Sequence, residues 1–384
     1  MARTRIPLLD DAAGTGGGCD VDTVDLDVPE ITDETQTNVL VFNVTMQCPL
    51  RCDFCCYGCH PKREERMPLD LALSLVDQAA ELGVFSAAGF TGGEPMLWFD
   101  ELLVVGAALQ DVGLPFSVVS AAHWAEDPSE ARRVVDALVD RGMYRLGMST
   151  DPSHARFVPP ASVVNAARAA ADRGIEIQVV GAFNDPDMTI ERFVPDIVGL
   201  PNLRLRTGYV AAAGRGAKLR DRADKDLGYA PDRMRCYRPA YHDLVIFSDG
   251  AAYPCCSVYN RDAEGIALGN ANTDSLRTLW ERAEGQLLLR VMKRVGFGHL
   301  YDVIAELDPA LRERLPELDT TGGPCLLCKN VFGDLDLARD IRSAFVAYEQ
   351  RTVDALLASL QDEFGAAEAA NIVRSAINAS TTRS

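Results

Sequence analysis

Cys48, Cys52 and Cys55 stand at C-x3-C-x2-C spacing in CPLRCDFCC, with Cys56 adjoining them and Cys59 three residues further on. Three thiolates on so short a loop can grip three corners of a small iron–sulfur cube, and such clusters commonly take four Cys ligands. Three ligands leave one iron open for something else. A structural zinc site wants four closed ligands, and Cys56, Cys59 or His60 could supply the fourth, so the spacing alone leaves zinc as an alternative. One strand–helix unit later comes TGGEP, Thr91 to Pro95. Its glycines, Gly92 and Gly93, let a backbone approach a ligand closely, and Glu94 can hold an ammonium group. The plainer reading of Gly92-Gly93-Glu94-Pro95 is a strand-to-helix turn.

A second set of thiols follows much later. Cys236 precedes an expected hairpin, GAAYPC places Cys255 five residues after Gly250, and PCLLC carries Cys325 and Cys328. In isolation these four read as a zinc ribbon, because C-x2-C is common in zinc sites.

The elements that must position these residues alternate. Strands are expected at 38–44, 86–90, 115–120, 144–149, 175–183 and 203–210, and helices at 69–83, 99–113, 129–142, 160–174 and 189–200. Six strand–helix units, less a clear sixth helix, imply a parallel sheet. Six units fall short of an eight-unit barrel, so the expected fold is α/β, an open, partial (β/α)6 TIM-like barrel over 37–215. Sites on such barrels gather at the C-terminal ends of the strands. The cysteine loop ends the first strand and GGEP the second. Ser120 ends the third, Ser149 and Asp151 end the fourth, and Asn184 ends the fifth. His154, three residues after Asp151, is a candidate acid or base because its pKa lies near neutrality; a loop histidine bonded to backbone is the bland alternative. After residue 215 the rhythm breaks. HDLVIFSDGAAYPCC (242–256) reads as a β-hairpin turning at Ser248-Asp249-Gly250, 275–283 as a helix, and 334–384 as two or three Ala-rich helices. A smaller domain is expected over 216–333. Residues 1–36, with nine acids against two basic residues, read as a mobile leader.

Composition narrows the function. The chain has 384 residues, 47% of them hydrophobic, and a formal net charge of −18. So acidic a surface repels phosphate backbones, which argues against nucleic acid. No apolar run is long enough for a bilayer, and the N-terminus lacks the apolar core of a secretory signal. A cytoplasmic protein without a membrane partner is expected. Its eleven cysteines are clustered, which in a chain of this size points to metal or redox chemistry rather than a disulfide scaffold.

Taken together, CPLRCDFC and GGEP resemble the cluster motif and the amine-binding motif of the radical S-adenosylmethionine (SAM) superfamily. The resemblance covers roughly residues 38–215. It implies a [4Fe–4S] cluster held by Cys48, Cys52 and Cys55, whose open iron chelates the amino and carboxylate groups of SAM. One electron then cleaves SAM to methionine and a 5′-deoxyadenosyl radical, which takes a hydrogen from substrate. It further implies that Ser149 and Asp151 contact the SAM ribose or methionyl carboxylate. Relatives often show Thr-Asn-Gly after strand three where this chain has Ser120-Ala121-Ala122, a departure that weakens the case for Ser120. GRG at 214–216 resembles a Gly-Arg-Ala motif found after strand six, so Arg215 could reach the SAM carboxylate or simply cap a turn. The later thiols resemble the twitch/SPASM extension, which carries auxiliary [4Fe–4S] clusters in an α+β domain. No further Cys follows Cys328, so one auxiliary cluster is implied, on Cys236, Cys255, Cys325 and Cys328, with Cys256 able to replace Cys255. Cys56 and Cys59 are expected to pack as small hydrophobes beside the first cluster. Relatives mature ribosomally made peptides by crosslinking or epimerisation, and others oxidise small molecules in natural-product biosynthesis. Peptide maturation is the favoured expectation, with a separate peptide-recognition protein and an electron donor such as flavodoxin or ferredoxin as partners. Small-molecule dehydrogenation comes second and a non-catalytic zinc or iron–sulfur interaction protein last.

Overall fold

The computed structural model describes residues 37–183, 185, 187–208, 210–219, 234–236, 242–318 and 323–381. The acidic segment 1–36 and Asn184 lie outside the described residues. Strands β1 (Val39–Asn43), β2 (Ala87–Thr91), β3 (Phe116–Ser120), β4 (Met143–Ser149), β5 (Glu176–Ala182) and β6 (Leu203–Gly208) pair in parallel in sequence order. On the other side of β1 lies β7 (Asp243–Phe247), also parallel, followed by the antiparallel strands β8 (Ala251–Tyr253) and β9 (Gly269–Asn270). The resulting nine-stranded sheet runs β6-β5-β4-β3-β2-β1-β7-β8-β9, an open order.

Burial follows position in the sheet. β1, flanked on both edges, is apolar almost throughout, as a strand covered on both faces must be. β5 alternates buried and half-buried residues, and β6 at the edge has no fully buried residue. Helix α1 (Leu69–Leu82) buries Ala72, Leu75, Val76 and Ala79, one face at helical spacing. It stops at Gly83, whose left-handed backbone lets its N–H bond Ala79 O. Helices α2 (Phe99–Asp111), α3 (Pro128–Val139) and α4 (Pro160–Asp172) cover the next units. α3 starts at Asp127, whose carboxylate accepts from the N–H groups of Ser129 and Glu130. The helix expected over 189–200 is shorter. α5 (Ile190–Phe193) ends after one turn, and a 3-10 turn at Pro195–Ile197 replaces its continuation. Pro195 has no N–H to give and pushes Val194 out of helical geometry.

The hairpin β7–β8 turns at 248–250, with Gly250 at φ 82°. Beyond it the chain is more helical than its sequence suggests. After α6 (Leu276–Gly285) come α7 (Leu287–Arg294), α8 (Phe297–Leu307), α9 (Pro309–Arg314) and α10 (Gly323–Phe332), then the long α11 (Leu335–Phe364) and α12 (Ala366–Thr381). Leu289, Met292, Phe297, Leu300, Phe332 and Ile341 anchor a second apolar core among these helices, separate from the one beneath the barrel sheet. None of the described helices is long and apolar enough to cross a membrane.

Candidate active site

The cysteine loop leaves β1 at its C-terminal end and is pinned on three sides. On the first, bridges pair Thr45 with Arg66 and Gln47 with His60, drawing the loop back on its own entry. On the second, the GGEP turn lies directly against that entry. Gly93 N–H bonds Thr45 O at 2.6 Å and Glu94 N–H bonds Gln47 O at 2.9 Å. A Cβ on Gly93 would sit 2.2 Å from Gln47 O, and one on Gly92 2.5 Å from Thr45 O. The two glycines are therefore required by contact between the two motifs. Gly93→Ala is expected to force them apart at a cost of about 1–3 kcal/mol, the usual range for overpacking. Calorimetry should show a lower Tm, and reconstitution a lower iron content than in the parent protein.

Arg215 closes the third side. Its Nε donates to Cys52 O at 2.8 Å, an Nη to Cys59 O at 2.9 Å, and its backbone N–H to Cys55 O at 3.1 Å. The guanidinium is thus turned onto carbonyls of the cysteine loop. Gly214 approaches so closely that a Cβ there would lie 2.1 Å from Cys56 O. Hydrogen bonds from a charged donor contribute about 1.5–3 kcal/mol each. Arg215→Met should therefore speed iron loss from the reconstituted loop to a chelator by about tenfold, the equivalent of 1.4 kcal/mol. Arg215→Lys, without the rigid fork that spans two carbonyls, should fall between the two.

Cys48, Cys52 and Cys59 are buried, and Cys55 and Cys56 half-buried; none forms a disulfide. Burial pushes the Cys48 thiol up to about 12. Cys55 moves the other way, to about 5, because the Cys59 thiol donates to it and Arg215 stands near, against the opposing effect of burial. Among the described residues no three His, Cys, Asp or Glu side chains converge on one point. A cube presents its irons at separate corners, so its ligands surround a volume rather than a point. Thiols crowded on one loop and largely buried suit a metal cluster that deprotonates what it binds.

Glu94 is fully buried beside this loop. Its Oε1 accepts from Met96 N–H at 3.1 Å and Ser120 Oγ at 2.8 Å, and its Oε2 from Ala121 N–H at 2.8 Å. A carboxylate offers about four acceptor sites, so one remains, on Oε2. Ser120 in turn accepts from Ala122 N–H and Trp124 Nε1. Ala122 holds a left-handed φ of 59° within this turn, a conformation unusual for a residue with a side chain. Ser120 therefore orients Glu94. His123, which sequence reasoning passed over within AAHWA, has Nδ1 at 3.7 Å from Glu94 Oε2. That Nδ1, Asn43 Oδ1 and Thr150 Oγ1 are buried without a hydrogen-bond partner among the described residues. Three such atoms around the strand ends are what a polar ligand would satisfy.

Asp151 is buried and bonded throughout. Its Oδ1 accepts from the N–H groups of Ser153 and His154, and its Oδ2 meets His154 Nδ1 at 2.8 Å and Ala182 N–H at 3.3 Å. Burial opposes the charge on His154, but hydrogen bonds to Asp151 and Cys52 outweigh it and raise its pKa to about 10. The same turn reaches the cysteine loop through Ser153 Oγ, which accepts from Asp53 N–H at 2.8 Å, and through the Arg156–Asp53 ion pair. Ser149 ends β4, half-buried at the same rim. Pro95 opens the turn that leads into α2.

The later thiols meet away from the barrel mouth. Cys236, Cys255, Cys325 and Cys328 all line one cavity, with Cys325 and Cys328 a turn apart on α10. Cys256 is exposed. Burial pushes Cys325 up to about 11 and raises Cys255 and Cys328 as well. Cys56 and Cys325 both pack against a small apolar cluster of Ala213, Tyr259 and Leu326, which links the two cysteine sets.

The barrel and its cysteine loop define a class, and comparison with known proteins agrees with it. Residues 42–194 match the radical SAM superfamily and residues 236–296 match the SPASM iron–sulfur cluster-binding domain. The chain thus contains a radical SAM domain over 42–194 and a SPASM-type domain over 236–296, which imply a SAM-binding [4Fe–4S] cluster, S-adenosylmethionine itself and auxiliary iron–sulfur binding. It is 23% identical over 303 residues to YydG of Bacillus subtilis (strain 168), a protein named for peptide biosynthesis; the match covers 77% of this chain and 92% of YydG. Among solved structures, BtrN in complex with AdoMet and 2-DOIA aligns with a TM-score of 0.43 at 13% identity, covering 68% of this chain and 89% of BtrN. Methylornithine synthase (PylB) aligns with a TM-score of 0.39 at 16% identity, covering 65% and 82%.

Proposed function

We propose that this radical SAM enzyme modifies a ribosomally made peptide, by crosslinking, epimerisation or oxidation. The observation that carries the reading is the abutment of a three-thiol loop and the GGEP turn at the mouth of a barrel, in a chain related to a protein named for peptide biosynthesis. The proposed division is a barrel over 37–215, an auxiliary cluster domain over 216–333 and terminal helices over 334–384.

Cys48, Cys52 and Cys55 would hold the SAM-binding [4Fe–4S] cluster, and Cys236, Cys255, Cys325 and Cys328 one auxiliary cluster. With the cluster and SAM bound, the chemistry supplied is one-electron cleavage of SAM and abstraction of a substrate hydrogen. The chain's own residues prepare the place. Glu94 offers its remaining acceptor site to the SAM amine, while Ser120 and Ala121 hold the carboxylate still. Asp151 fixes His154 beside Phe54 of the loop and favours its charged form, which can donate a proton. Arg215 holds the loop carbonyls of Cys52 and Cys59 in place. The buried floor of the mouth excludes water.

The test uses anaerobically reconstituted protein, reductant, SAM and the product of a short reading frame neighbouring the gene, deuterated at candidate carbons. Deuterium in 5′-deoxyadenosine together with a mass change in the peptide is expected. An unchanged peptide, with turnover of a sugar or amino alcohol instead, overturns the peptide reading.

A further inference from the structure

Behind the cavity of the later thiols lies a buried cation that the reaction at the barrel mouth does not use. Lys293, on α7, is 5% exposed and lines the same cavity as Cys236, Cys255, Cys325 and Cys328. Its Nζ lies 2.8 Å from His242 Nδ1, and His242 Nε2 lies 2.7 Å from Glu284 Oε1. An ammonium only donates, so Nδ1 accepts, and the Nε2 proton faces Glu284. His242 thus bridges the lysine to a carboxylate on the surface. His242 is itself buried, packed edge-on against Trp280 and tied to β1 through Asn38 and Val39. Lys293 is therefore held in place from the side away from the cavity.

A lysine is rarely buried unless negative charge lies within reach. Burial lowers the Lys293 pKa, and the acidic groups that oppose this are, in order, Cys236, Cys255, Glu284 and Asp243. Two of them, Cys236 and Cys255, are cavity thiols that would carry negative charge once a cluster took their protons. Most of the remaining cavity wall is apolar, with Ile266, Leu289, Met292 and Phe297 prominent; Ser257, Tyr259 and Asn260 are its neutral polar members, and Lys293 is its one basic side chain among the described residues. A four-thiolate iron–sulfur cluster is an anion in a low-dielectric pocket, and net charge is one of the levers that set its potential.

We propose that Lys293, held by His242 and Glu284, is the built-in countercharge of the auxiliary cluster and raises its reduction potential. The proposal rests on the auxiliary-cluster reading above. A fixed positive charge favours the reduced, more negative state, so removing it makes reduction harder.

The experiment is an EPR-monitored redox titration of the reconstituted full-length protein, with SAM present and absent. The signal that SAM perturbs belongs to the barrel cluster; the unperturbed one belongs to the auxiliary cluster. Lys293→Met should lower the midpoint of the unperturbed signal by at least a tenfold change in the oxidised-to-reduced ratio, about 59 mV for one electron. It should leave the SAM-sensitive midpoint in place, and Lys293→Arg should restore the parental value. If Lys293→Met fails to load the second cluster while Lys293→Arg loads it, the countercharge is likewise supported. An unchanged midpoint, an equal shift of both signals, or an arginine variant that behaves like methionine overturns it. A parent protein with no SAM-insensitive cluster signal would instead overturn the auxiliary-cluster reading itself.

Discussion

Replacing Cys48, Cys52 and Cys55 together by Ala is expected to reduce 5′-deoxyadenosine formation to the background of a protein-free reaction. About four irons per chain, the content of one [4Fe–4S] cluster, should be lost and about four retained by the later thiols. The expectation rests on placement. All three thiols lie on one loop pinned by the bridges at Thr45 and Gln47, by the GGEP turn and by Arg215. The thiols that remain on the loop, Cys56 and Cys59, are one short of three, and Cys56 packs against the cluster of Tyr259 and Leu326. Removing small buried thiols leaves the pinning bonds intact, because these run through backbone carbonyls and N–H groups. The variant should stay folded, and circular dichroism should match the parent. Parallel iron, sulfide and 5′-deoxyadenosine assays check the prediction. A triple variant that retains both parental iron content and SAM cleavage would remove the basis for the site.

Glu94→Gln should have the next largest effect. The substitution keeps the shape and the Oε1 contacts to Met96 and Ser120, but brings an amide NH2 to the position where Oε2 accepts from Ala121 N–H. Two donors then face each other in a fully buried site, at a cost of about 1–3 kcal/mol for the unsatisfied group. The variant also loses the negative charge proposed to hold the SAM amine. The SAM concentration giving half-maximal 5′-deoxyadenosine formation should rise by at least about tenfold, equivalent to 1.4 kcal/mol, while iron content stays at the parental level. Since Glu94 is not a cluster ligand in this arrangement, a loss of iron matching the loss of activity would assign it a scaffolding role instead.

Much of the barrel was legible because its signals are local. Apolar runs of strand length, helical spacing as in Ala72, Leu75, Val76 and Ala79, and a terminating glycine at 83 each lie within a few residues. The helix expected over 189–200 failed on an equally local signal, Pro195, which was outweighed by the apolar pattern around it. Helices α7 to α10 went unread for another reason. Their apolar residues pack against α11, which is distant in sequence. Arg215 shows the same limit: GRG was visible, but the carbonyls it grips lie more than 150 residues earlier.

The order of residues alone determined which chemistry was available: the two cysteine sets, the acidic turn after the second strand, and the alternation that puts such turns on one rim. These are matters of spacing along a chain, where covalent geometry limits the outcome. Folding decided the rest. It turned Cys255 into the cavity and left Cys256 exposed, directed Asp151 onto His154, aimed Arg215 at the cysteine loop, and buried Lys293 beside the later thiols. Each of these depends on which distant groups share a low-dielectric space, and there the cost of an unmatched charge or hydrogen bond selects one arrangement from many that spacing permits.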